Sequence, residues 1–376
     1  MIREALFWIC AALIVYTHAG YPATLWLLAR LRRRPTLRPD RAWEELPRVS
    51  LIVAAYDEEE VIGRKLANAL ALDYPRERLE LIVASDGSAD DTAARAREAG
   101  ADLVLELSRG GKIIAQNAAA ERASGEILAF SDANSYWEPN ALLRLIEPFA
   151  DPSVAYSCGQ LRFTDPGGDN QEGAYWRFEL WVRELESALG GVTAGNGAIY
   201  AVRRDAYIPL PAAASHDLSF PFELAKRGRR SLYVPWAVAE EKAVPTLEGE
   251  FARKRRMMSG IWDIVIREGM LSPRGYRPLY AFEIASHRLL RYLTPLLHLV
   301  VLGANIALLG DGFIYTLTLI AQGGLLAAAL LARLLPLAPL RIARYYLLVT
   351  ASIAAGLWDR LRRGSPGAWE KAEGTR

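Results

Sequence analysis

Between Arg48 and about Val244, short runs of apolar and β-branched residues alternate with stretches whose apolar positions recur at helical spacing. The pattern predicts strands at Val49–Ala54, Leu79–Ala84, Leu103–Leu105 and Ile127–Phe130, with helices at Glu60–Leu72, Asp90–Ala99 and Ile113–Ala123 between them. A further strand is expected at Val154–Leu161. Strands alternating with helices give an α/β fold, a Rossmann-like and mostly parallel sheet covered on both faces, and such sheets bind ligands beyond the carboxyl ends of their strands. Three acids stand at strand or loop ends: Asp86, Asp132 and, well downstream, Asp217 in Ser215-His216-Asp217. The aromatic helix expected over Ala174–Leu189, with Tyr175, Trp176, Phe178, Trp181 and Val182, fits either the core of this domain or a bilayer surface.

The flanks carry a different pattern. From Ala5 to Ala29 no residue is charged, and at about 1.5 Å per residue that run crosses a hydrocarbon core of about 30 Å. It is longer than the roughly 7–15 apolar residues of a signal peptide and ends in arginines instead of a cleavage site. Arg30, Arg32, Arg33, Arg34 and Arg38 follow it, so the positive-inside rule puts this end in the cytoplasm and the N-terminus outside. Tyr292–Gly310 and Gly312–Ala332 are charge-free around Asp311 and read as a transmembrane hairpin, followed by Arg333, Arg341 and Arg344 with Pro336 and Pro339. The last apolar run, Tyr345–Trp358, has arginines on both sides. About 14 helical residues reach only about 21 Å, and a crossing would leave Arg360, Arg362 and Arg363 outside, so a spanning helix and an interfacial or re-entrant one both remain open. The expected plan is a membrane helix over 1–30, a basic linker over 31–47, a soluble domain over 48–250, a basic amphipathic interface segment over 251–291, the hairpin over 292–332, the third C-terminal segment over 345–358 and a polar tail over 364–376.

Composition agrees with one sizeable soluble domain plus membrane segments: 376 residues, 52% hydrophobic and 23% charged. A net charge of only +2 gives no electrostatic case for a nucleic-acid partner. The basic residues cluster beside membrane segments, where anionic lipid headgroups attract them. Two cysteines, Cys10 and Cys158, make no disulfide framework, and the four histidines lack zinc-ligand spacing.

Several short motifs in order carry a family resemblance. Ser50-Leu-Ile-Val-Ala-Ala-Tyr56-Asp57-Glu58-Glu59 is similar to a Pro-x-Tyr-Asn-Glu strand and loop, and Ser85-Asp86-Gly87-Ser88 to a uracil-binding turn. Gly111-Lys112 with Asn117 resembles Gly-Lys-x-x-Ala-x-Asn, and Ser131-Asp132-Ala133-Asn134 an Asp-x-Asp motif. Gly195-Asn196-Gly197 resembles an acceptor-lining segment, Ser215-His216-Asp217 stands at Thr-Glu-Asp, and Arg253-Lys254-Arg255-Arg256-Met257 occupies a Gln-x-x-Arg-Trp box. Together they resemble the membrane-embedded family 2 inverting glycosyltransferases of GT-A fold, related to cellulose, chitin and hyaluronan synthases, over about Val49 to Gly260. Taken singly, Asp-Gly-Ser or an Asp before Leu218 would read as a helix N-cap, and the arginines as a membrane-surface patch.

The resemblance implies a nucleotide site made by Ala54, Tyr56, Glu58, Asp86, Lys112, Ser131 and Asp132. A divalent Mg²⁺ or Mn²⁺ would sit at Asp132 with Asn134, whose neutral oxygen replaces the second acid. Asn196, Gly197 and His216 would line the sugars, Asp217 would be the base, and Arg253, Arg255 and Arg256 would face the departing diphosphate. His216 and Met257 depart from the family pattern, and Met257 removes the aromatic that stacks on a growing chain.

The leading expectation is a glycosyltransferase of the inner, cytoplasmic membrane, multi-pass, with its catalytic domain in the cytoplasm. It would transfer sugar from a nucleotide donor, UDP-linked by the resemblance, to a lipid-linked or polysaccharide acceptor in cell-surface or exopolysaccharide synthesis. Two alternatives stand beside it: transfer of one sugar to a polyprenyl phosphate or membrane lipid, and a non-catalytic nucleotide-sugar-binding subunit of a polysaccharide export complex. Three or four crossings make a small pore at best, so polymer export would need a second copy or a partner.

Overall fold

The computed structural model describes residues 1–32, 45–164, 173–335 and 337–364, without the side chains of 32, 173 and 174. Arg33, Arg34, Arg38 and Pro336, and the expected tail beyond Gly364, lie outside the described residues. In chain order the helices are α1 Ile2–Val15, α2 Tyr21–Arg32, α3 Ile62–Leu70, α4 Thr92–Glu98, α5 Lys112–Arg122, α6 Ala141–Ile146, α7 Gly173–Leu189, α8 His216–Lys226, α9 Leu247–Arg267, α10 Pro278–Glu283, α11 Leu290–Ala307, α12 Phe313–Leu331 and α13 Ala338–Arg363. The strands are β1 Val49–Ala55, β2 Leu79–Asp86, β3 Leu103–Leu107, β4 Ile127–Asp132, β5 Tyr136–Trp137, β6 Val154–Thr164, β7 Ile199–Arg203 and β8 Arg230–Lys242.

The strands form one sheet in the order β3-β2-β1-β4-β7-β6-β8-β5. From β3 to β4 the pairs are parallel, as the alternation with helices requires. Strand β1 is buried along its whole length, because helices cover both faces of the sheet. In register, Ala54 lies beside both Ala84 and Asp132, so the ends of β1, β2 and β4 open on one edge. Strand β7 runs antiparallel to β4 with Ile199 opposite Ser131, which returns residues 196–198 to that same edge. The sequence reading gave 195–204 no strand.

The flanking helices differ from expectation in extent. A π-helical stretch, Tyr16–Gly20, joins α1 to α2, and another, Ile284–Leu289, joins α10 to α11. Four helices among the described residues are long and apolar enough to cross a membrane: Ile2–Leu31, Pro278–Ala307, Phe313–Leu331 and Ala338–Arg363. The first arm of the expected hairpin therefore begins at Pro278 instead of Tyr292. The last segment is a helix of 26 residues, about 39 Å long, not the short run that charge counting gave. Its charged end is accommodated because Asp359 pairs with Arg255 at 2.5 Å and Arg360 with Asp263 at 2.5 Å, both on α9.

Inside the bundle Phe7 and Cys10 of α1 pack against Leu297, Val301 and Ala304 of α11. Asn305 donates to Gln322 at 2.8 Å and accepts from Thr318 at 2.8 Å, a polar tie between α11 and α12 of the kind that joins helices in lipid. Helix α7 packs on two sides. Trp176 packs on the sheet cluster, while Val182 and Leu189 pack with Tyr21 and Leu25 of α2.

Helices α9 and α13 cross at Gly356. A Cβ there would lie 2.6 Å from Met258 Cβ and 2.9 Å from Ser259 N. Gly356→Ala is therefore expected to cost about 1–3 kcal/mol through overpacking. Thermal unfolding of the detergent-solubilised protein checks this, and an unchanged Tm would mean that the two helices separate freely.

Candidate active site

The loop after β1 turns at Asp57, whose φ of 49° makes it the single non-glycine residue with positive φ among those described. Asp and Asn tolerate this conformation better than other residues, which is a physical reason for Asp57 to stand where the resembling motif has Asn. Asp57 accepts from the Ala89 N–H at 2.7 Å and donates its own N–H to Ser88 Oγ at 3.0 Å, lacing this loop to the turn after β2. The Glu58 N–H donates to Thr92 Oγ1 at 2.8 Å, and Glu58 itself is buried.

Asp86 ends β2 almost fully buried. Its Oδ1 accepts from Gly110 N at 2.7 Å, and its Oδ2 accepts from Gly111 N at 2.9 Å and from Arg109 Nη1 at 2.5 Å. The Arg109 guanidinium in turn lies 3.4 Å over the Tyr56 ring. Asp86 thus clamps the 109–111 loop that leads into α5. Gly87 is required in this contact, since at φ 69° its Cβ would stand 2.9 Å from Arg109 N. Ser85, Gly87, Ser88, Asp90 and Ser108 line a cleft beside it.

Lys112, the first residue of α5, forms an ion pair with Asp132 at the end of β4. Burial lowers its pKa, but the charges of Asp132, Asp217 and Glu241 outweigh that and raise it, so it stays an ammonium at neutral pH. Ala54 and Ser131 are buried beneath, with Ser131 Oγ donating to the Asp132 carbonyl at 3.2 Å. Asn134 lies half-buried in the turn that the Ser135 N–H closes onto the Asp132 carbonyl at 3.2 Å.

Asp217 sits in the first turn of α8, not on a loop. Ser215, the N-cap, donates its hydroxyl to the Asp217 carboxylate. The Gly195 N–H donates to the Asp217 carbonyl at 2.6 Å. Burial raises the carboxyl pKa and Lys112 opposes the rise. A Cβ on Gly197 would be 4.0 Å from both Asp217 Cγ and Lys112 Nζ, so that glycine faces the acid and the ammonium together.

Other expected residues are placed differently. His216 is buried in the core, its Nδ1 2.7 Å from Tyr200 Oη and its ring 4.6 Å from that of Phe220. Burial, then Lys112, pushes its pKa well down. Asn196 spends its amide on the turn, accepting from Ala198 N at 3.0 Å and donating to the Gly159 carbonyl at 3.4 Å. Arg253 is held by Glu250 at 2.8 Å and Arg255 by both oxygens of Asp359, so these two arginines tie α9 to its surroundings, while Arg256 is half-buried on the same helix.

Sequence reasoning missed Lys65. It is fully buried on the apolar stripe of α3, donates to the Ser135 carbonyl at 2.5 Å, and lies 5.2 Å from the Trp137 ring centre. Burial pulls its pKa down to about 7, against the opposing charges of Asp132 and Glu241. A lysine at the helical spacing of Ile62, Leu66 and Ala69 was the available signal.

The glycosyl transferase family 2 profile matches residues 50–208. The chain carries a glycosyl transferase family 2 domain. Its curated relatives include the poly-beta-1,6-N-acetyl-D-glucosamine synthase of Staphylococcus aureus, 26% identical over 256 residues that cover 65% of this chain and 62% of that protein. Another is the beta-monoglucosyldiacylglycerol synthase of Trichormus variabilis, 28% identical over 60% of this chain and 53% of that one. The chain thus spans less than two thirds of the length of these relatives. Among solved structures, the mannosyltransferase PcManGT from Pyrobaculum calidifontis, in complex with GDP-Man and Mn²⁺, is similar over 95% of this chain and 99% of that one, with a TM-score of 0.73 and 26% identity. The family 2 domain therefore has the expected GT-A fold, and the likeness to PcManGT extends through the apolar helices at both ends.

Proposed function

We propose that this chain is a membrane-bound inverting glycosyltransferase that moves a sugar from a nucleotide donor to a lipid-linked or polysaccharide acceptor. One arrangement carries the reading: Lys112 stands between Asp132 and Asp217, and Gly197 leaves room beside them. In the transfer the acceptor hydroxyl gives its proton to the Asp217 carboxylate as its oxygen bonds the anomeric carbon from the face opposite the diphosphate. The bond from that carbon to the diphosphate breaks, and the nucleoside diphosphate leaves with the electron pair. Lys112 neutralises part of the charge that develops on the leaving group.

Among the described residues no group of three His, Cys, Asp or Glu side chains could hold a metal by itself. Asp132 and Asn134 offer hard oxygen donors, which fit Mg²⁺ or Mn²⁺ if phosphate oxygens and water supply the remaining positions. A cation bound there would neutralise the departing diphosphate. Asp86, Arg109 and Tyr56 would form the floor of the base site, with Glu58 buried behind it.

The four apolar helices support a multi-pass protein, and Arg30 and Arg32 at the end of α2 favour a catalytic domain on the cytoplasmic side of the inner membrane. Addition of a single sugar to a membrane lipid is favoured over chain growth by Met257, 45% exposed where the synthase motif has an aromatic.

The test incubates the purified protein with Mg²⁺ or Mn²⁺ and a panel of UDP- and GDP-sugars, with and without membrane lipid extract, and follows nucleoside diphosphate release and product mass. One donor turned over, with a product one sugar heavier than its lipid acceptor, is the expected result. A ladder of masses would favour polymer synthesis. No release with any donor despite nucleotide binding would overturn the enzymatic reading in favour of a binding subunit.

A further inference from the structure

Residues 190–197, between α7 and β7, reach the Asp217 turn, and most of what holds them comes from outside the sheet. The Val192 N–H bonds the Ser231 carbonyl of β8 at 2.8 Å, but the Val192 carbonyl accepts from Tyr280 Oη of α10 at 3.1 Å. Thr193 donates its N–H to Glu186 Oε2 at 3.0 Å and its hydroxyl to the same carboxylate, and that hydroxyl accepts from Arg288 Nε at 2.9 Å. Two residues on, the Gly195 N–H meets the Asp217 carbonyl.

Glu186 is fully buried and collects two further elements. Its Oε1 accepts from Tyr21 Oη of α2 at 2.7 Å and lies 2.6 Å from His287 Nδ1, which belongs to the π-helical stretch before α11. Burial alone would raise its pKa, yet His287, Arg288 and the Thr193 N–H hold it well below the usual carboxylate range, so it is a fixed charge. Glu179, two turns earlier on the same face of α7, pairs with Arg291. The two π-helical stretches also meet each other here, Tyr16 Oη standing 2.9 Å from Ser286 Oγ. Such stretches are rare and gather at functional sites; one of them supplies His287 to the carboxylate that carries the loop, and the other ends at Gly20, next to Tyr21.

We propose that Glu186 is a positioning residue through which the membrane helices hold loop 192–197 against Asp217, so that the seating of Tyr21, His287 and Arg288 governs how fast the base can act. The inference rests on the proposed transfer reaction and deepens it. Glu186 is fully buried. It acts by way of Thr193 and Gly195.

The test uses the full-length protein in detergent with the donor that the panel identifies, comparing Glu186→Gln, Thr193→Val, Thr193→Ser and Tyr21→Phe. Glu186→Gln and Thr193→Val are expected to lower kcat at least about tenfold while the donor KM stays within about twofold, and Thr193→Ser, which keeps the hydroxyl, is expected to retain most of the rate. Tyr21→Phe, which removes one bond from the membrane side, should cause a smaller fall with the same KM. Amide hydrogen exchange without any ligand should quicken over 192–197 in Glu186→Gln and stay as in the parent in Asp217→Asn. A folded Glu186→Gln protein with parental kcat, or with unchanged exchange over 192–197, would overturn the inference. If the parent transfers no sugar the proposed reaction falls, and the exchange measurement by itself then decides whether Glu186 holds the loop.

Discussion

Asp217→Asn is expected to lower turnover by about 10²–10⁴-fold, the usual contribution of a general base, and to leave nucleotide affinity within a few-fold. The substitution keeps shape and volume. The N–H of Gly195 bonds the backbone carbonyl of residue 217, and Ser215 can still donate to the amide oxygen, so the start of α8 should survive. What the amide cannot do is take the acceptor proton. Initial rates of nucleoside diphosphate release, set beside calorimetric titration with the nucleotide alone, separate the two quantities. A variant that keeps more than about a tenth of the parental rate would show that another group removes the proton. The same residue predicts the pH dependence of the parent. Burial raises the Asp217 pKa, and the base works only when ionised. The rate should therefore rise with pH through that elevated value and fall away below it, with an acid limb above the ordinary carboxylate range.

The parts of the fold that could be read from the chain are those where one local signal decides. Strands β1, β2 and β4 are mostly apolar runs, and the acids that end two of them emerge on one edge because parallel strands share a direction. Asp86 and Asp132 were therefore legible, and so was the neighbourhood of Lys112, from motif order. Residues whose setting depends on distant partners were not. Nothing near Ile199 announces that it pairs antiparallel with Ser131, yet that pairing returns Gly197 to the edge. Arg255 looked available to a diphosphate because its partner, Asp359, is 104 residues away. His216 replaced an acid in a catalytic motif and looked like a sugar ligand, whereas its ring fills an aromatic box under Tyr200, where an ionised acid would be costly. The length of α13 was underestimated for the same reason: its terminal charges read as an end to the helix until α9 supplied Asp263 and Arg255 to pair with them.

Lys112→Met should weaken donor binding and also shift the pH profile, and the second effect distinguishes it from loss of any other phosphate ligand. In the parent the ammonium pairs with Asp132 and lowers the Asp217 pKa by its charge. Removing it takes away a charge-assisted contact worth about 1.5–3 kcal/mol, an increase of about 10–150-fold in donor KM. It also leaves the Asp132 charge, which already raises the Asp217 pKa, without the opposing ammonium. The Asp217 pKa, already raised, must rise further, so the acid limb of the kcat profile should move to higher pH. Because burial does not overcome the acids around it, Lys112 keeps its proton through neutrality, and the limb of the parent cannot be its own titration. The measurement is kcat against pH at saturating donor for both proteins. A higher KM with an unmoved acid limb would mean that Lys112 serves the donor alone and that Asp217 is tuned by burial and by its other neighbours.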